Sequence, residues 1–164
     1  MPYRAILIIT TFLFGCSRDM PADPMCRAEQ LYTETPPTAA ACLIKSQLQL
    51  LAIKNHDEDG WSLPYLKMQA SMTGQCTAHS AVWKATGLNV KVGQLLFTGA
   101  DHTQYFACEL TDDFSKNLNE FPVPSWATRK TKQINLVDPF ETQQSHWESY
   151  INLIEVREAF TKLK

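Results

Sequence analysis

The sequence predicts an α+β domain in which an antiparallel sheet packs against a helix of small residues. Three observations carry this: an apolar stripe at helical spacing over 38–54, a small-residue helix over 76–86, and strand-like segments between residues 90 and 137. The order helix, helix, strand, strand, strand, helix is that of an α+β arrangement.

The first helix begins at Thr38. Ala40, Leu43, Ile44, Leu48 and Leu51 fall at three- and four-residue steps and make one apolar face. It is expected to end near Lys54-Asn55, before the charged turn His56-Asp57-Glu58-Asp59-Gly60. That turn is acidic but does not follow a calcium-binding EF-hand loop. Residues 61–75 are irregular or briefly helical. In the second helix Ala78, Ala81, Val82 and Ala85 offer a face for close packing, and Gly87 stops it as a left-handed cap.

Residues 90–97 and 103–110 read as strands joined by Thr98-Gly99-Ala100-Asp101. The polar stretch 112–132, with Pro122 and Pro124, reads as a long surface insertion. Residues 133–137 form a third strand, closed by Asp138-Pro139. Ser145 and Glu148 then make a capping box for a last helix whose buried face is Trp147, Tyr150, Ile151 and Ile154.

The chain opens with Arg4 and an apolar run over 5–15 that is too short to span a bilayer, as in an export signal. Leu13-Phe14-Gly15-Cys16 resembles a bacterial lipobox, with Phe14 larger than the pattern prefers. The resemblance implies cleavage before Cys16 and a diacylglyceryl anchor on that residue. An ordinary signal peptide and an uncleaved apolar anchor are the alternatives. Three regions follow: a signal peptide over 1–15, a lipidated tether over 16–37 and one domain over 38–164. The expected location is the bacterial cell envelope, and Ser17 favours the outer membrane facing the periplasm. Cleavage takes Arg4 from the 15 Lys+Arg, leaving 14 against 17 Asp+Glu with no basic stripe, which argues against nucleic acid as a partner.

Export makes the five cysteines informative. With Cys16 assigned to lipid, Cys26 with Cys42 is the first choice of disulfide, stapling the tether to the first helix and contributing about 3 kcal/mol on the chain-entropy model. Cys108 reads as a buried structural thiol.

Cys76 stands where a glycine-containing loop turns into a helix, whose dipole and free N–H groups favour a thiolate. His102 and Asp138 follow in chain order. A neighbouring imidazole would activate the thiol, and a carboxylate would fix the tautomer. The Cys76 backbone N–H, with Gln69 or the Trp61 indole, is a candidate oxyanion donor. His79, one turn beyond Cys76, is a rival base, while His56 and His146 read as solvated.

Gly74-Gln75-Cys76, Thr86-Gly87-Leu88-Asn89-Val90, His102 and Asn135-Leu136-Val137-Asp138-Pro139 together resemble the transglutaminase-like branch of the papain-like cysteine enzymes. The resemblance implies a papain-like fold with the cysteine helix on an antiparallel sheet, and a triad of Cys76, His102 and Asp138. Gln104 and Phe106 stand where that family usually carries an aromatic residue and a glutamate. The implied activity is that of a cysteine peptidase or amidase acting through an S-acyl intermediate on an envelope peptide or protein, with deamidation or transglutamination as variants. No cofactor or metal is implied. Two alternatives accompany it: a metal site built from Cys76 and His79 with His102 or Cys108, and a non-catalytic, lipid-anchored interaction module on the same scaffold.

Overall fold

The computed structural model describes residues 19–29, 37–111 and 120–163. Cys16, the signal segment and residues 112–119 lie outside them.

A seven-stranded mixed sheet carries a helix on each face. Its elements are β1 (Ala39–Ser46), β2 (Gln49–Asn55), β3 (Tyr65–Lys67), α1 (Gly74–Thr86), β4 (Val90–Thr98), β5 (Thr103–Leu110), β6 (Glu120–Phe121), β7 (Thr131–Val137), a 3-10 turn at Gln144–His146, and α2 (Leu153–Thr161). The strand order is β4-β5-β1-β2-β7-β6, with β3 joined to β1 off that path. β1 and β5 run parallel, and the other pairings among these strands are antiparallel.

The first predicted helix is instead the β1–β2 hairpin. β1 sends Ala40, Cys42 and Ile44 into the core beneath α1 and Ala41 and Leu43 into the core on the α2 face. A strand buried on both faces reads as a continuous apolar run, and such a run also satisfies three- and four-residue spacing. The hairpin turns at Gln47-Leu48, where Gln47 takes a positive φ of 58°. Leu48, assigned to the buried helix face, is 76% exposed there.

α1 forms where expected. The Thr73 side chain caps it by accepting from the Cys76 N–H at 3.2 Å. Gly87 ends it with φ 71°, its N–H donating to the Trp83 carbonyl. Residues 120–130 pack back toward the end of α1, with Trp126 5.6 Å from Trp83 between ring centroids and Pro124 beside Gly87.

The last helix starts later than its predicted capping box. Asn152 caps α2 by accepting from the Ile154 N–H. Glu148 instead accepts from the Gly60 N–H at 2.6 Å. Gly60 has no room for a side chain, since a Cβ would lie 2.5 Å from the Trp147 carbonyl carbon. Trp147 and Ile151 are buried as expected, whereas Tyr150 is 40% exposed and Ile154 67%.

The disulfides are Cys26–Cys76 and Cys42–Cys108. The expected Cys26–Cys42 pair fails because Cys42 lies under α1 on a central strand, diagonal to Cys108 on β5. Cys26 belongs to a segment that crosses α1 and joins the sheet edge: Asp23 accepts from the Ser80 hydroxyl, and Ala28 bridges to Val92.

Candidate ligand-binding site

The proposed triad is not assembled. Cys76 is bonded to Cys26, and its N–H is taken by Thr73, so neither a thiolate nor that oxyanion donor is available. His102 is exposed in a left-handed turn (φ 63°), and its carbonyl accepts from Thr38 at the start of β1. Asp138 follows Val137, which pairs through Leu50 with Lys45 at the far end of β1. Thr38 and Lys45 are seven residues apart, about 23 Å along a strand. The Asp138 carboxylate accepts from the Phe140 N–H instead.

Gln69 is exposed, and the ring of Trp61 lies under the Lys54 ammonium. His79 is buried against Asn89 at 3.0 Å. The alternative metal site loses both of its cysteines to disulfides, and no group of three or more His, Cys, Asp or Glu is placed to hold a metal ion among the described residues.

What the strand register does build is a trough on the α2 face. Tyr65, Ala41 and Tyr105 stand in one row across β3, β1 and β5, and Lys67, Ala39 and Thr103 form the next. Side chains opposite one another in register share a face, so two alanines floor a slot between tyrosine walls. The cavity there is about 440 Å³ and is closed by Leu63, Tyr150 and Ile151.

Each wall is held in place. Phe97 stacks on Tyr105 with ring centroids 4.3 Å apart and 7° between planes. Tyr150 tilts against Tyr65 at 5.4 Å, and its hydroxyl lies between Ser62 and Glu58 at 2.7 and 3.0 Å. At the rim, Asp101 accepts from both the N–H and the hydroxyl of Thr103. Burial, reinforced by the Asp101 carboxylate, pushes the Tyr105 hydroxyl up to about 12, so it is a proton donor at neutral pH. Burial raises Tyr150 as well. A wider groove continues from Asp101, Tyr105 and Tyr150 toward Trp147 and Glu155.

The tyrosines come from three separated segments, so no local motif announced them. The one available signal was Ala39-Ala40-Ala41, small residues in a central strand that leave space above the sheet.

A smaller cavity of about 160 Å³ lies across Tyr65 on the α1 side, between that helix and β2. From α1 it is lined by Ala81, Lys84 and Ala85, and from the strands and the adjoining turn by Asn55, Lys130 and Thr131 among others.

No family model and no curated protein matches this sequence. Solved structures do match the fold. An ADP-ribose pyrophosphatase from Streptococcus suis superposes with a TM-score of 0.61 at 14% identity, over 78% of this chain and 92% of that one. A UDP-X diphosphatase gives 0.59 at 16% identity, over 80% and 64%. A NUDIX hydrolase from Nitrosomonas europaea gives 0.57 at 15%, over 80% and 73%.

Diphosphate-cleaving enzymes commonly clamp phosphates with divalent cations held by carboxylates. This chain does not fit such a cation at α1: the helix has no Asp or Glu, and the small cavity beside it is lined by two lysines. The transglutaminase-like resemblance, and with it the cysteine peptidase or amidase acting on envelope peptides, is overturned by these neighbours, by the parallel β1–β5 pairing and by the helices on both faces. The chain has the NUDIX hydrolase fold, an α/β/α sandwich.

Proposed function

We propose that the tyrosine-walled trough binds the flat ring of a small nucleotide-like ligand, of the class in which a nucleoside diphosphate is joined to a second group. The observation that carries this is the row Tyr65–Ala41–Tyr105, which leaves a slot of about 440 Å³ between aromatic walls. Aromatic side chains stack on a base at about 1–3 kcal/mol each. The Asp101 carboxylate and the Tyr105 hydroxyl at the rim suit sugar hydroxyls. The names of the structural neighbours, an ADP-ribose pyrophosphatase and a UDP-X diphosphatase, supply the ligand class. It replaces the envelope peptide or protein expected from sequence.

The reading commits to recognition without cleavage by a resident cation, because α1 carries no carboxylate. We place this protein at the bacterial envelope, anchored through Cys16; two disulfides among the described residues support an oxidising compartment.

Calorimetric titration of the oxidised protein with ADP-ribose and UDP-glucose tests the reading. Binding is expected, weakened about tenfold or more by Tyr105→Ala. No heat and no thermal shift at millimolar ligand would remove the trough as a nucleotide site. Phosphorus NMR of the same mixtures with added magnesium is expected to show intact ligand, and released phosphate products would restore hydrolysis.

A further inference from the structure

We infer that the cavity between α1 and β2 is a metal-independent anion subsite, taking the phosphate end of the ligand whose ring lies in the trough. This rests on the reading just given and deepens it. Tyr65 is the residue common to both linings, and on this inference one ligand spans the two spaces around it.

The cavity is mostly apolar, with Ile53, Leu66, Ala81 and Ala85 in its walls, yet two buried polar atoms in it lack partners among the described residues. Asn55 and Thr131 line it, each 1% exposed, and Asn55 Oδ1 and Thr131 Oγ1 have no hydrogen-bond partner among the described residues. A buried polar atom left unpaired is costly, so such atoms mark where a further group belongs. The Asn55 amide nitrogen is committed to Glu58 at 2.7 Å, which leaves its oxygen as the acceptor. The Thr131 hydroxyl can donate.

The charges select the ligand. Lys84 and Lys130 both line the space. Asp23 meets Lys84 at 3.8 Å, and the Lys130 ammonium lies 5.3 Å from the Tyr65 ring centre. Lys130, together with Lys84 whose charge Asp23 partly offsets, disfavours a divalent cation and attracts an anion. A phosphate monoester supplies oxygens for the lysines and Thr131, and below its second ionisation near pH 6 it also carries an O–H that Asn55 can accept. The lysines thereby provide the phosphate-facing charge that a metal ion would bring.

Titration of the oxidised protein with adenosine, AMP and inorganic phosphate, in buffer containing EDTA, tests this. AMP is expected to bind about tenfold more tightly than adenosine, with no dependence on EDTA. Lys130→Ala should erase that difference. Thr131→Val should weaken AMP while raising the melting temperature, since it deletes an unpaired hydroxyl. Equal affinity for AMP and adenosine overturns the subsite and keeps the trough. Phosphate binding that depends on Lys130, without adenosine binding, keeps the subsite and removes the trough. A requirement for magnesium, or no binding of AMP or phosphate, overturns the subsite.

Discussion

The two faces of the sheet are closed by different means. Under α1 the helix itself contributes small groups, Ala78 and Val82, over strand residues that include Phe106, and both disulfides act on that side. Under α2 the helix contributes Phe160 beside Tyr105 and Trp147, and among the described residues no disulfide joins that layer. Small residues let the helix approach closely, and covalent links make up for the modest apolar area such residues bury. Large aromatic groups bury more area but fit less completely, and the trough lies where they meet the alanine floor. The covalent links are thus on one face and the larger cavity on the other.

The largest way to break this contrast is reduction. The disulfides span 50 and 66 residues, about 4 kcal/mol each on the chain-entropy model, against a total of about 5–15 kcal/mol for an ordinary domain. Near-ultraviolet circular dichroism in reductant is expected to show unfolding at room temperature. A native signal in reductant would mean that packing alone holds the α1 face. On the other face, Trp147→Ala should cost about 3–5 kcal/mol in a urea titration, because Trp147 is buried and its indole donates to Thr142. A loss under 1 kcal/mol would show that the aromatic layer is not the stabilising part of that face.

The trough sharpens the contrast through pH. An unfolded tyrosine ionises near 10, whereas folded Tyr105 is held up to about 12. The folded state therefore keeps its proton where the unfolded state has lost it. Stability is fully present below pH 10 and falls as pH rises toward 12. Tyr105→Phe should flatten that fall in alkaline denaturation, and an unchanged slope would mean that the hydroxyl is not shielded. The smallest effect is expected at the α1 cap, where Thr73→Ala should cost about 1 kcal/mol in thermal unfolding.

Legibility in the sequence followed the same division. α1, Gly87, β4 and β5 carry their own start, stop and alternation signals, and they form as read. The β1–β2 hairpin does not, because burial on both faces removes alternation and its turn lacks glycine or asparagine. Cysteine pairing depends on β1 lying beside β5, a neighbour some sixty residues away in the chain. Cys76 lies in the first turn of α1, His102 just before β5 and Asp138 just after β7, yet chain order carries no information on which end of the sheet each one occupies. The tyrosine row needed the register of three strands before it could be seen at all.

The bond from Cys26 to α1 also sets a leash. Cys16 and Cys26 are ten residues apart, and an extended chain covers at most about 3.3–3.6 Å per residue, or about 35 Å in all. With a lipid on Cys16, the domain would stay within about its own diameter of the bilayer. Without the Cys26–Cys76 bond, and with the segment released, the leash would run to residue 37 and its limit would double to about 70 Å. The redox state of one cystine would then decide how far from the membrane this protein can reach.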